Sequence, residues 1–119
     1  MSITAKILIA IVALEHLYFL VLEMFLWTAP RTRKAFGMSA EQAEATKVLA
    51  ANQGLYNGFL AAGLIWSLLA PAAYAAQLAF FFLACVLVAG IYGGFTANKR
   101  IWLVQALPAA AALAAVWLI

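Results

Sequence analysis

Three ionisable side chains, Glu15, His16 and Glu23, lie inside one long apolar stretch, residues 3–28. Carboxylates and an imidazole at different depths of such a stretch can pass a proton or hold a cationic or polar head group. An ionisable group at the centre of a membrane span costs about 2.5–3.5 kcal/mol on insertion scales, so it is rarely left facing lipid. On a helix, His16 and Glu23 project within about 20° of each other and sit about 10 Å apart along the axis. They form one polar stripe, too long for a direct contact. Glu15 is turned by about 100° from His16, so the two neighbours cannot both point squarely at one small site. Counted from the ends of the stretch, Glu15 and His16 fall near its middle. Glu23 falls about one turn inside its far end.

A second stripe follows in Ala51-Asn-Gln-Gly-Leu-Tyr-Asn-Gly58. Asn52 and Tyr56 are four apart, as are Gln53 and Asn57, so each pair shares a helix face. If this helix runs antiparallel to the first, Asn52 and Gln53 reach the depth of Glu23, and Asn57 comes within about a turn of His16. Gly54 and Gly58 have the spacing that lets another helix approach closely, and Gly90 and Gly94 repeat it. Tyr92, Thr96 and Gln105 are expected at the same depth as Glu23, which implies a polar cluster or cavity. Pro108 is expected to loosen the last helix beside it.

The elements that position these residues follow from composition. Of 119 residues, 69% are hydrophobic and 9% charged. A water-soluble domain carries about 25% charged residues, so this chain calls for a lipid bilayer as its solvent. Four apolar stretches stand out, at about 3–28, 48–70, 76–97 and 101–119. Each is near the roughly 20 residues that a helical span needs. The short alternating runs of a membrane barrel are absent. The expected fold is all-α: one domain over 1–119, an integral membrane four-helix bundle.

Six of the seven basic side chains fall in two connections. Arg31, Arg33, Lys34 and Lys47 lie between the first two stretches, and Lys99 and Arg100 between the last two. Their asymmetry places these connections in the cytoplasm and both termini on the other side. The run 7–27 is too long for a signal-peptide core of about 7–15 residues and is followed by a basic cluster, so it reads as a retained span. Within the first connection, Gly37 suits a turn, and Ser39 with Gln42 forms a capping-box pattern that starts a helix at Ala40. Cys85 sits within an apolar run, as a small buried residue would.

The runs Leu14-Glu-His-Leu-Tyr18, Leu22-Glu-Met-Phe25 and Ala51-Asn-Gln-Gly-Leu-Tyr-Asn-Gly-Phe59 resemble a family of bacterial membrane proteins of about this length, the domain of unknown function 1304. The resemblance covers nearly the whole chain. It implies a four-helix, multi-pass protein of the bacterial inner membrane, and it carries over no catalytic residues.

The expected function is binding or moving a small molecule or proton along the stripe. Glu15 and His16 would be midplane proton-exchanging groups and Glu23 the carboxylate nearest the cytoplasm. Asn52, Gln53, Tyr56 and Asn57 would be their hydrogen-bonding partners. Four short spans make a small pore, so this reading expects a homo-oligomer. A second reading makes the chain an accessory or structural subunit of a larger membrane complex, with His16 a candidate porphyrin ligand. A third makes it an enzyme on a lipid-like substrate, with Glu and His as acid and base. Against these stands a purely structural role, in which the polar groups only join helices. No cofactor is named by any motif. The Glu-x-x-His of di-iron bundles, a cysteine–histidine ligand pair, a phosphate-binding glycine loop and a basic–aromatic nucleic-acid surface are all absent.

Overall fold

The computed structural model describes all residues, 1–119, and contains only helices. They are α1 (Ile3–Phe25), α2 (Pro30–Phe36), α3 (Ala40–Leu69), α4 (Ala72–Thr96), a π-helical turn at Trp102–Ala106, and α5 (Leu107–Leu118). The all-α expectation holds. Two helices, α1 and α4, are long and apolar enough to cross a membrane, and Trp102–Leu118 forms a shorter apolar segment. The longest helix, α3, falls below that level for a physical reason. It opens on Glu41, Glu44 and Lys47 and carries Asn52, Gln53 and Asn57 in its middle. One face of α1 (Ile3, Ile7, Ile11, Leu14, Tyr18, Val21, Phe25) is exposed along its whole length. An apolar face this long suits lipid better than water.

Two boundaries differ from expectation. The first helix stops at Phe25, where Leu26 N–H bonds back to the Val21 and Leu22 carbonyls. The second apolar stretch is the latter part of one continuous α3, in keeping with a capped helix that starts at Ala40 and runs straight on into it. The fourth is not one regular helix. Leu107 N–H bonds the Trp102 carbonyl, the i→i+5 pattern of a π turn. Pro108 follows at once and has no N–H to continue an α-helical ladder.

The first connection holds a helix that was not expected. Pro30 pre-sets the backbone of its first turn. Gly37 ends it at φ 65, in the left-handed region. Gly37 N–H reaches the Lys34 carbonyl and Met38 N–H the Arg33 carbonyl, the paired bonds of a Schellman cap. The capping box then starts α3: Gln42 N–H donates to Ser39 Oγ at 3.1 Å, and Ser39 N–H to Gln42 Oε1 at 2.9 Å. The Trp27 ring packs on Phe36 at 5.0 Å, and its Nε1–H donates to Thr46 Oγ1 at 3.0 Å. Ser39→Ala is expected to lower stability by about 1 kcal/mol, read from thermal unfolding in detergent. An unchanged midpoint would show that the cap contributes nothing.

The chain forms two compact units. The first is Met1–Leu14 with Leu60–Ile119, and the second is Glu15–Phe59. The first unit has a dry core of Ile9, Val12, Leu64, Leu83 and Val86, interleaved with Ala13, Ala79, Ala109 and Ala112. Small residues bring the last segment onto α4. A Cβ on Gly90 would stand 2.8 Å from the backbone nitrogen of Ala106, and one on Gly94 would collide with the Trp102 ring. Two side chains of the π turn secure this seam: Trp102 Nε1–H donates to the Ile91 carbonyl at 3.1 Å, and Gln105 Nε2–H to the Val86 carbonyl at 3.2 Å.

Candidate functional site

The second unit, Glu15–Phe59, contains every residue of the expected site. Its centre is Glu23, only 7% exposed. Asn57 Nδ2 of α3 donates to Glu23 Oε1 at 2.5 Å. The glycine pair makes this approach possible. A Cβ on Gly54 would lie 2.7 Å from Met24 Cγ and 3.0 Å from Glu23 Cβ, and one on Gly58 would lie 2.6 Å from Leu20 Cδ1. The two glycines therefore seat α3 on the last turns of α1, and Asn57, which directly precedes Gly58, meets the carboxylate. Leu20 and Met24 are the α1 side chains that lie against the two glycines.

The partner of Glu23 differs from the one that depth counting suggested. Asn52 and Gln53 were expected at its level, and Asn57 holds that place. Because α1 ends earlier than the apolar stretch does, the pairing of α3 against it moves by about one turn. Asn52, Gln53 and Tyr56 lie on exposed positions of α3. Asn52 Nδ2 donates to the Val48 carbonyl of its own helix at 2.9 Å, and the Tyr56 ring meets Phe59 edge-on at 5.9 Å. The signal that singles out Asn57 is its position between the two packing glycines.

His16 is fully buried and packs edge-on to Phe19, with ring centroids 5.4 Å apart. Glu15 is half-buried, and its enclosed Oε1 has no hydrogen-bond partner. On a regular helix Glu15 and Glu23 are separated by about 12 Å along the axis, so they are two stations, not one cluster. Of the other residues expected at this depth, Thr96 Oγ1 donates to the Tyr92 carbonyl of its own helix, and Gln105 binds the Val86 carbonyl. Both belong to the first unit.

The partner of Glu23 is an amide and not a lysine or arginine. The chain's ion pair joins Lys47 to Glu44 on the exposed surface of α3. Arg33 Nε–H is held by the Thr28 carbonyl at 3.1 Å, and Arg31 and Lys34 are exposed. No group of three or more His, Cys, Asp and Glu side chains gathers to hold a metal ion. The site therefore offers a buried carboxylate fixed by one amide. That arrangement accepts a positive counter-charge, either a proton or a cationic group.

A family model described as protein of unknown function (DUF1304) matches residues 10–117. The uncharacterized protein YpaA of Lactococcus lactis subsp. lactis (strain IL1403) is 40% identical over 70 residues, which is 57% of this chain and 59% of that protein. The chain thus covers less than two thirds of that relative's length. No solved structure matches.

Proposed function

The chain belongs to the domain of unknown function 1304 family, and on that footing we propose, from its site residues, that it is a multi-pass protein of the bacterial inner membrane that binds or moves a small molecule or proton past Glu23. In this reading α1, the apolar part of α3, α4 and Trp102–Leu118 form four spans. Both basic connections face the cytoplasm and both termini face the other side, with the lipid bilayer around the spans. Glu15 and His16 serve as the deeper exchanging groups. Glu23 is the gate nearest the basic connection, with Asn57 holding its carboxyl in place. Asn52, Gln53 and Tyr56 supply polar contacts along the same helix.

One observation carries this proposal: Glu23 is enclosed, and its partner is a neutral amide, not a cation. A carboxylate kept only for helix joining would be replaceable by an amide at lower desolvation cost. The exposed Asn52, Gln53 and Tyr56 favour a second reading, in which the chain is one subunit of a homo-oligomer or larger membrane assembly.

The test uses the full chain in liposomes loaded with a fluorescent pH indicator, with a potassium diffusion potential as driving force. Wild-type protein is expected to acidify or alkalinise the lumen according to the sign of the potential. Glu23→Gln, which keeps the side chain's shape and an acceptor for Asn57, is expected to slow that flux at least tenfold. Equal flux through both proteins would refute the proposal.

A further inference from the structure

Within the second unit, α3 has a used face and an unused one. The used face is turned to α1: Ala43 and Ala50 are buried, Gly54 packs on Glu23 and Met24, and Asn57 bonds Glu23. On the opposite side of the same helix lie Ala45, Val48, Asn52, Leu55 and Phe59, all exposed. These five follow one another at alternating intervals of three and four residues. That is the spacing of the positions that two helices press together in a coiled coil, and Asn52 stands at the one called a. Four of the five side chains are apolar, and lipid alone would suit them. Asn52 is the exception. It gives one N–H to the Val48 carbonyl of its own helix at 2.9 Å, and its second N–H and its amide oxygen have no partner within the chain. It lies about one turn inside the apolar stretch that begins at Val48, where an unsatisfied amide is costly. A carboxamide carries both donors and an acceptor, so it pairs with another copy of itself. None of the five side chains is charged, so nothing in the stripe repels its own copy. Copies inserted the same way and related by a two-fold axis along the membrane normal set α3 parallel to α3, with equal residues at equal depth.

We infer that a second copy of this chain covers the stripe. Two α3 helices pack in parallel as a symmetric pair, with Val48, Leu55 and Phe59 interdigitating and the two Asn52 amides hydrogen-bonded across the axis. A single Asn at an a position sets the register and the number of helices that associate. In lipid it also supplies an attraction that apolar side chains cannot, because lipid tails are as apolar as they are. The pair leaves the Glu23–Asn57 contact untouched, since that contact uses the other side of α3. The inference rests on the reading of the chain as one subunit of a homo-oligomeric membrane protein and names its interface.

The experiment uses the full chain, with Cys85→Ala as background, in vesicles at high lipid excess. Single cysteines replace Val48 and Leu55 in the stripe, and Gln53, which is exposed but turned by about 100° from Asn52. Oxidation is expected to link Val48→Cys and Leu55→Cys into covalent dimers, because the pairing brings like residues within the Cα spacing of about 4.4–6.8 Å that a disulfide needs. Gln53→Cys is expected to stay largely monomeric. Energy transfer between chains labelled at the N-terminus with donor or acceptor then measures the affinity of the pair. Asn52→Leu is expected to weaken it roughly fivefold, and Gln53→Leu to leave it unchanged. Equal cross-linking at Val48, Gln53 and Leu55, or equal weakening by Asn52→Leu and Gln53→Leu, would overturn the interface. Energy transfer no greater than random mixing would show that lipid covers the stripe and would overturn the second copy. Val48→Cys linking only to a different polypeptide in native membranes would do the same. Glu23-dependent proton flux in such a monomer would leave the proton reading standing, and a dimer without that flux would leave the interface standing and sink the proton reading.

Discussion

A valine at Gly90 is expected to destabilise the protein by about 3 kcal/mol, near the upper end of what overpacking costs. The reason lies in what the added carbon would meet. At Gly90 a Cβ falls 2.8 Å from the Ala106 nitrogen and 3.0 Å from its Cα, both backbone atoms that cannot swing aside. Separating the two segments would also stretch the bonds from Trp102 to Ile91 and from Gln105 to Val86, each worth about 0.5–1.5 kcal/mol. Gly93 provides the control. Its Cβ would meet side-chain atoms of Ile101 at 3.3 Å, and those can turn. Alanine at Gly93 also gains up to about 1 kcal/mol of helix propensity. Gly93→Ala is therefore expected to melt within a few degrees of wild type in detergent, and Gly90→Val far below it. Coincident melting of the two variants would refute this account of the seam.

The second large effect is asymmetric. Asn57→Leu is expected to cost about 2–3 kcal/mol, because it leaves the Glu23 carboxylate enclosed without its donor. Replacing both residues, Glu23→Leu with Asn57→Leu, is expected to recover most of that loss, since a pair of apolar side chains of similar size leaves nothing unsatisfied. Reversible unfolding in mixed micelles, run as a double-mutant cycle, measures this directly. Strictly additive single-mutant effects would mean that the two side chains are not coupled. The stable double variant is also expected to be dead in the flux assay, separating what holds the helices together from what the site does.

The helices were legible because the length of an apolar run and a capping box are local properties. Ser39 and Gln42 announce the start of α3 from within its own first turn. The short α2 was legible in principle, with Pro30 at its first position and Gly37 just past its end. Its basic residues also form a topology signal, which masks the helix. The site was half legible. Ionisable groups in α1 and amides in α3 mark two stripes, but neither says how far one helix slides along the other. That register depends on where α1 stops, which is fixed by the turn after Phe25 and by glycine packing at Gly54 and Gly58. Only with both in place does Asn57, and not Gln53, face Glu23. The π turn has no mark in the sequence except Pro108 immediately downstream.

That π turn bears on how related chains should be aligned. A π turn holds one residue more than the α-helical turn it replaces. A chain lacking one residue between positions 102 and 106 could close the turn to ordinary α-helix, and the buried face of α5, Ala109, Ala112 and Ala115, would keep its direction. A one-residue gap in α4 ahead of Gly90 would instead rotate everything beyond it by about 100° and carry Gly90 off the seam. Single-residue length variation is thus silent at one place in this half of the chain and disruptive in the helix beside it, so an alignment that must open a gap here belongs between Ile101 and Leu107.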